Sequence, residues 1–324
     1  MSKYLVTGGA GFIGSHIVEE LLKRGARVRV LDNFSTGKRE NIKFPDLPND
    51  IVDRSLELIE GDIRDLEVCR RACDGVDYVL HQAALRSVPK SLDDPGATNE
   101  VNVNGTLNVL LAAKEKGVRR VVYASSSSVY GDSNHLPQQE DQKPSPISPY
   151  AVSKLVGEYY CSVFSKIYGL ETISLRYFNV FGQRQDPQSE YAAVIPKFIQ
   201  AALRGKPLEI HGDGLQTRDF TYVSNVVGAN ILATKVPNTN GEVVNIACGK
   251  RYSILDIGKG IGEVLGRKLE FHHTKSRTGD VRHTLADISL AMRLLGYEVR
   301  VDFIEGLTKT IGYFNLGTEG FKKS

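Results

Sequence analysis

The chain opens on a short apolar run, Tyr4–Thr7, followed by a glycine-rich turn and then by a change of period. From Phe12 to Arg24 the apolar residues Ile13, Ile17 and Leu21 recur on one stripe, with Val18 and Leu22 beside them. That spacing predicts an amphipathic helix stopped by Gly25. Arg27–Leu31, Leu56–Glu60 and Tyr78–His81 repeat the strand pattern. Asn99–Lys116 reads as a long helix closed by Gly117, and Arg120–Ala124 as a strand. Tyr150–Tyr168 reads as a second long helix closed by Gly169, and Thr172–Leu175 as a further strand. Strands alternating with helices predict an α/β fold built on a doubly wound parallel sheet.

The second half has shorter elements, punctuated by Pro187, Pro196, Gly205, Pro207, Gly212, Gly214, Pro237 and Gly241. We therefore expect a first domain over residues 1–180 and a smaller, mixed α/β lobe over 181–324. Segments such as Thr217–Ala233 are expected to pack back on the sheet. The chain has 324 residues, 41% hydrophobic and 24% charged, which excludes a disordered, collagenous or disulfide-stapled protein. A formal charge of +3 is too small for an electrostatic nucleic-acid or membrane binder. No apolar run approaches the ~18–20 residues of a membrane span. Cys69 and Cys73 share a helix face, and Cys161 and Cys248 stand apart, so free thiols and no metal site are expected. Met1-Ser2-Lys3 runs straight into the first strand, leaving no room for a targeting peptide. A cytoplasmic setting follows as an expectation.

Gly8, Gly11 and Gly14 lie between the first strand and its helix, where a pyrophosphate can sit on backbone N–H groups and the positive helix end. Gly8 suits the tight turn, Gly11 the close approach of phosphate and Gly14 the packing of helix on strand. Plain turns are the alternative, but Asp32 follows about 20 residues on, at the end of the second strand. A carboxylate there accepts from both adenosine ribose hydroxyls and repels a 2′-phosphate, favouring NAD over NADP. Lys38 and Arg39 pull the other way. Asp62 and Ile63, after the third strand, are placed to hold the adenine edge. The first domain thus reads as a Rossmann-type dinucleotide-binding unit, and the second as a substrate-binding lobe.

Tyr150 and Lys154 are four residues apart behind Pro149, a helix-starting proline, so their side chains share one face. Fourteen tyrosines make that spacing uninformative by itself. As a base, a phenol of pKa ~10 must drop about 3 pH units, roughly 4 kcal/mol of differential stabilisation. A nearby ammonium and a positive nicotinamide are the expected sources, with Lys154 also holding the nicotinamide ribose. Upstream, Ser125–Ser128 follow a strand and offer a hydroxyl to relay a proton or steady the reacting oxygen.

On these residues the chain resembles the extended short-chain dehydrogenase/reductase superfamily, and within it the nucleotide-sugar 4-epimerases. The likeness runs over essentially the whole chain: TGGAGFIG (7–14), LDNFSTG (31–37), HQAA (81–84), NVNGTLNVL (102–110), SSSSVYG (125–131), SPYAVSK (148–154), LRYFNVFGQRQDP (175–187), YAAVIPKF (191–198), GDGLQTRDFTYV (212–223) and RTGDVRHTLADI (277–288). The resemblance implies Ser126 as catalytic hydroxyl, Tyr150 as base and Lys154 as its helper. It implies NAD contacts at Gly8, Gly11, Phe12, Ile13, Gly14, Asp32, Asn33, Ser35, Thr36, Gly37, Asp62, Ile63, Gln82, Ala83, Ala84, Asn102, Tyr150, Lys154, Tyr177 and Val180. It implies sugar-nucleotide contacts at Ser87, Ser126, Ser127, Tyr150, Asn179, Val194, Lys197, Arg218, Arg251, Arg277, Asp280 and Thr284. Arg218 and Arg277 suit a diphosphate clamp, with surface salt bridges as the alternative. One departure is Asn225, where the family often has Asp.

The implied activity is a UDP-sugar 4-epimerisation through a 4-keto sugar, with hydride lent to bound NAD and returned to the opposite face. Position 284 bears on the sugar: plain-hexose epimerases tend to carry a bulky tyrosine there, and this chain has Thr284. Together with three of the matching tracts this points to UDP-GlcNAc/UDP-GalNAc, with UDP-Glc/UDP-Gal as further substrates. A UDP-uronic acid 4-epimerase is the nearest rival, since Arg86 or Arg282 could meet a carboxylate. The 4,6-dehydratases of the superfamily place an Asp-Glu pair where this chain has Ser127 and Ser128, which removes their acid/base pair. A catalytically silent NAD-binding module is the remaining alternative. The family's two long helices pair across a homodimer, which implies the same here. Neither nucleic acid nor a membrane is expected as a partner.

Overall fold

A computed structural model describes residues 2–133, 135–187, 193–275 and 281–319. Seven parallel strands form the central sheet: β1 (Lys3–Thr7), β2 (Arg27–Asp32), β3 (Leu56–Glu60), β4 (Tyr78–His81), β5 (Arg120–Ser126), β6 (Glu171–Tyr177) and a last strand, Glu242–Ile246. The spatial order is Glu242–Ile246, β6, β5, β4, β1, β2, β3. From β1 the chain builds outward to β3, then crosses back to lay β4 on the other side of β1. In such sheets the ligand crevice opens beyond the carboxyl ends of the strands at this reversal.

Alternation along each strand feeds two apolar layers. Val6, Leu80, Val122 and Ile173 face one, packed by the helices Phe12–Lys23 and Val223–Ala233. Leu5, Val79, Val121 and Tyr123 face the other, packed by Leu66–Cys73, Gly105–Glu115 and Pro149–Tyr168. The first layer continues without a break to Leu307 and Ile311, and Glu242–Ile246 pairs in parallel with β6, Val244 opposite Leu175. The second half of the chain therefore completes the sheet as well as covering its end.

One helix departs from its expected form. Asn99–Lys116 is not a single α-helix: Pro95–Asn99 leads into one π-helical turn, Glu100–Asn104, and then Gly105–Glu115. The wider turn buries Asn102, whose amide brackets Leu85, donating to its carbonyl at 2.9 Å and accepting from its N–H at 2.8 Å. Asn225 is explained similarly. It accepts from the N–H groups of Arg300 and Val301 and donates to the Val301 carbonyl at 2.7 Å, and an aspartate could not make that last bond. All four cysteines are free, and burial pushes the thiols of Cys69, Cys73 and Cys161 up to about 12. Among the described residues no helix is long and apolar enough to cross a membrane.

Two buried polar arrangements hold the site's framework. The first centres on His81. Thr106 spends its proton on the Asn102 carbonyl at 2.6 Å, so it must accept from His81 Nε2 at 3.0 Å. Thus His81 carries its proton on Nε2, and Nδ1 accepts from Thr7 at 2.7 Å. Thr7 in turn accepts from the Ala83 N–H at 3.3 Å. Asn102 continues the line by donating to Ser153, which donates to the Tyr150 carbonyl at 2.8 Å. The second is the ion pair of Glu158 and Arg176, 2% and 3% exposed, joined by Nε–Oε1 at 2.9 Å and Nη2–Oε2 at 2.8 Å. It fastens the Pro149–Tyr168 helix to β6, and Ser125 on β5 donates to the same carboxylate.

Two predictions follow from these arrangements. Glu158→Gln leaves a buried guanidinium without its charge partner and should cost about 3–5 kcal/mol in urea unfolding. The double replacement Glu158→Leu with Arg176→Met should cost clearly less. Burial holds the His81 imidazole down to about 3, against ~6.5 in the unfolded chain. The unfolded state alone takes up this proton as pH falls from 6.5 toward 3, so the stability present above 6.5 is lost across that window. The share due to His81 is about 2 kcal/mol between pH 7 and pH 5. Unfolding titrations of His81→Asn should lack that part of the slope.

Candidate active site

A cavity of about 740 Å³ runs along the carboxyl ends of the strands. Strand order places Asp32, Asn33, Ser35, Thr36, Asp62 and Ile63 at one end of it, and Gly8, Gly11, Phe12, Ile13, Gly14, Gln82, Ala83 and Ala84 in the middle. Ser126, Ser127, Tyr150, Lys154, Tyr177, Asn179, Val180, Arg218 and Thr284 lie beyond β5 and β6, with Ser87 and Arg86 on the loop after β4.

The middle is shaped for an anion. Gly8 has φ +66° and a Cβ there would lie 2.8 Å from the Ala83 backbone, while at Gly14 a Cβ would meet the Gly8 carbonyl oxygen at 2.1 Å. The loop can therefore close only without side chains at these positions. The helix Phe12–Lys23 has Gly11 as its N-cap and no side-chain cap, so its first N–H groups face the cavity. That is the donor set a pyrophosphate takes. Asp32 accepts from Ala10 N at 2.9 Å and Phe34 N at 2.8 Å, and burial raises its carboxyl above the ordinary value. The carboxylate thus braces the loop first, and each oxygen keeps a lone pair for a ribose hydroxyl. At the far end Asn33 donates to Asp62 at 2.8 Å, and Arg64 with Asn33 holds the Asp62 carboxyl down to about 2. These residues fit the dinucleotide that the sequence implied.

At the chemical end, Ser148 caps the Pro149–Tyr168 helix by accepting from Ala151 N at 3.1 Å. The first turn then aims Tyr150 and Lys154 at the end of β5. Lys154 Nζ donates to the Ala124 carbonyl at 2.8 Å and lies 6.0 Å from the centroid of the Tyr150 ring. Burial raises the Tyr150 phenol, and the groups that pull it back are the Ser126 hydroxyl, by a hydrogen bond, and then the charge of Arg86. Ser126 is free to donate because its oxygen already accepts from Ser128 N at 3.2 Å. Burial lowers Lys154 to about 8.

Tyr177 is fixed by Gln82 and by Asn230, whose amide donates to its hydroxyl at 2.8 Å. Asn179 donates to the Asp219 carbonyl at 3.0 Å and to Thr284 Oγ1 at 3.3 Å. Arg218 donates to the carbonyls of Thr217 and Arg282. Burial, and then the charges of Arg251, Arg282 and Arg218, depress His283, so three guanidinium groups gather near this wall.

Five expected contacts do not line the cavity. Asn102 sits behind Leu85, and Gly37 lies behind Asp32, where a Cβ would come within 2.8 Å of the carboxylate. Val194 and Lys197 lie on the helix Val194–Leu203, of which only the cap, Ala193, reaches the wall. Arg251 is on the strand paired with Thr217–Asp219, opposite Asp219. Arg277 and Asp280 lie outside the described residues.

Sequence reasoning missed Asp219. It is fully buried, and its carboxylate accepts from the N–H groups of Cys248 at 3.0 Å, Gly249 at 2.9 Å and Ala286 at 3.3 Å. It thereby joins the segments that carry Arg218, Arg251 and Thr284. Burial pushes its carboxyl up to about 7. Nothing in the local sequence announces such a role, since its partners lie 29 to 67 residues away.

The chain is similar over nearly its whole length to proteins of known activity. The UDP-glucose 4-epimerase of Mycolicibacterium smegmatis is 37% identical over 318 residues, covering 96% of this chain and 97% of that one. A structure of UDP-N-acetylglucosamine 4-epimerase from Methanobrevibacter ruminantium, in complex with UDP-N-acetylmuramic acid, superposes with a TM-score of 0.91 at 40% identity, covering 98% of this chain and 99% of that one. A variant of UDP-glucuronic acid 4-epimerase from Bacillus cereus, solved with NAD and a fluorinated UDP-glucuronic acid, gives a TM-score of 0.88 at 34% identity, covering 97% and 99%. Residues 4–247 match the NAD dependent epimerase/dehydratase family, and the chain belongs to that family.

Proposed function

We propose that this chain interconverts UDP-N-acetylglucosamine and UDP-N-acetylgalactosamine, with the plain UDP-hexoses as further substrates. The coarser activity is that of an NAD-dependent UDP-sugar 4-epimerase. Bound NAD supplies a hydride acceptor that returns the hydride to C4. Tyr150 takes the C4 hydroxyl proton and later restores it. Ser126 donates to the phenolate oxygen, and Arg86 offsets part of the cost of desolvating that charge. Lys154, anchored on the Ala124 carbonyl, presents its ammonium to the ribose side of the site. Arg218 holds the diphosphate while the 4-keto sugar turns about its link to it.

The observation that supports the acetamido sugars is Thr284. It is a small side chain at the cavity wall, fixed by Asn179 at 3.3 Å, and leaves room that a tyrosine ring would fill. Arg86 on the same cavity supports the second reading, a UDP-uronic acid substrate, because a guanidinium pairs well with a carboxylate. A homodimer is supported by Val152, Tyr159, Val163 and Ile167, which form an exposed apolar stripe along the Pro149–Tyr168 helix. We place the enzyme in the cytoplasm on the strength of its free thiols.

Purified protein given a panel of UDP-sugars, without added nucleotide, should convert the acetamido pair with kcat/KM at least about 10-fold above UDP-glucuronic acid. The reverse order would favour the uronic reading. Thr284→Tyr should lower turnover of the acetamido sugars by about 10- to 100-fold while sparing UDP-glucose. Tyr150→Phe should cost about 10³-fold in kcat; a fully active variant would assign the base to another residue, and wild-type protein that turns over no sugar nucleotide would favour the silent module. The Lys154 charge is present below about pH 8 and lost above it. The kcat profile should therefore fall on its alkaline side near that value, and Lys154→Arg should move the fall upward while lowering the rate.

A further inference from the structure

After β6, residues 181–187 run along the dinucleotide end of the cavity. Residues 181–187 leave a short ladder in which Phe181 pairs with Tyr222. They then touch two elements of the opposite wall. Arg184 pairs with Glu19 on the helix Phe12–Lys23, and its Nη1 donates to His16 Nδ1 at 3.2 Å. His16 accepts there as a neutral ring, its imidazole pushed down to about 3 by burial and by the Arg184 charge itself. Asp186 pairs at 3.1 Å with Lys38, on the loop that follows β2. Arg184 holds φ at +61°, a left-handed conformation that a residue with a side chain adopts only at a cost in free energy. The contacts on either side keep it there.

Gln185 stands between these anchors. It is 4% exposed and lines the cavity. Its Nε2 donates to the Val180 carbonyl at 3.3 Å, which fixes the orientation of the amide. Its Oε1 is buried with no hydrogen-bond partner among the described residues. A buried amide oxygen left unpaired is costly, so such atoms in folded proteins generally face a ligand or water. Along the same stretch of cavity lie Ser35, Thr36 and Lys38 from the dinucleotide side.

We propose that residues 181–187 form a strap over the dinucleotide end of the cavity, and that Gln185 is its cofactor-binding residue, accepting a hydrogen bond from a hydroxyl or amide N–H donor of bound NAD. The strap comes from the second half of the chain and is tied by Arg184 and Asp186 to the two elements that carry the nucleotide loop. An enzyme that oxidises and then re-reduces one substrate molecule must not lose its dinucleotide in between. A tied strap slows that loss. The inference rests on NAD as the resident cofactor and goes beyond it by naming the residue and segment that retain it.

The experiment measures NAD retained per chain after gel filtration, and its release rate by trapping free nucleotide. Wild-type protein should keep the nucleotide. Gln185→Leu, which keeps volume and removes the acceptor, should release it about 3- to 10-fold faster, with the KM for the UDP-sugar unmoved. Asp186→Lys should also speed release, and Lys38→Asp combined with Asp186→Lys should slow it again. Arg184→Gly fits the backbone conformation but drops the Glu19 tie, and should release faster even where Gln185→Leu folds poorly. Release at the wild-type rate in both Gln185→Leu and Arg184→Gly overturns the strap. A raised UDP-sugar KM with NAD retention intact in Gln185→Leu assigns the residue to the sugar nucleotide instead, and also overturns it. Wild-type protein that holds no nucleotide would sink the cofactor reading and the strap with it, a result distinct from either of the others.

Discussion

The site depends on one directional chain of hydrogen bonds beneath the cavity. Two of its donors are decided by neighbours: Thr106 must give its proton to Asn102, so His81 must give one to Thr106 and take one from Thr7. That leaves a single arrangement in which every group is satisfied, with the imidazole neutral. The chain begins at Ala83, beside the glycine-rich loop, and reaches the carbonyl of Tyr150 through Asn102 and Ser153. The nucleotide loop and the reacting phenol are thus referenced to each other through buried bonds rather than through solvent. In a low-dielectric interior such a network is rigid when complete and costly when broken.

Burial sets the electrostatics of the chemical end, and the protein answers it only in part. Desolvation raises Tyr150 and lowers Lys154. Both shifts oppose the ionic forms a proton-abstracting phenolate and its helper need. Ser126 and Arg86 return some of the difference for Tyr150. The Glu158–Arg176 pair, behind the same helix, carries charge that is fully paired and so keeps the helix in place without competing for the phenol.

Much of this was legible in the sequence because it is local. Glycines at 8, 11 and 14 after a strand, an acidic residue ending the next strand, and Pro149 setting Tyr150 and Lys154 on one helix face all lie within short windows where period and turn chemistry decide the structure. Element edges moved by a residue or two, as at β6, which extends to Tyr177. What local pattern could not show depends on distant partners. The π-helical turn exists to bury Asn102 against Leu85, 17 residues away. Asp219, Asn230 and Gln185 are polar residues whose neighbours are chosen by the tertiary fold. The relative placement of Arg86 and Lys154 about the phenol is likewise a matter of packing.

Both halves of the chain contribute to the sheet and to the cavity. The first half supplies the glycine-rich loop and Ser126, Tyr150 and Lys154 at the cavity. The second half supplies the last strand of the sheet and the wall that carries Arg218 and Thr284. Asp219 gathers that wall by accepting backbone N–H groups from two separate segments, and its carboxylate touches no exposed surface. Because the wall is joined to the sheet through Glu242–Ile246 and a continuous apolar layer, it cannot swing away as a unit without opening the core. Room for the sugar to turn must therefore be present within the cavity itself, and a side chain as small as Thr284 is one way to provide it.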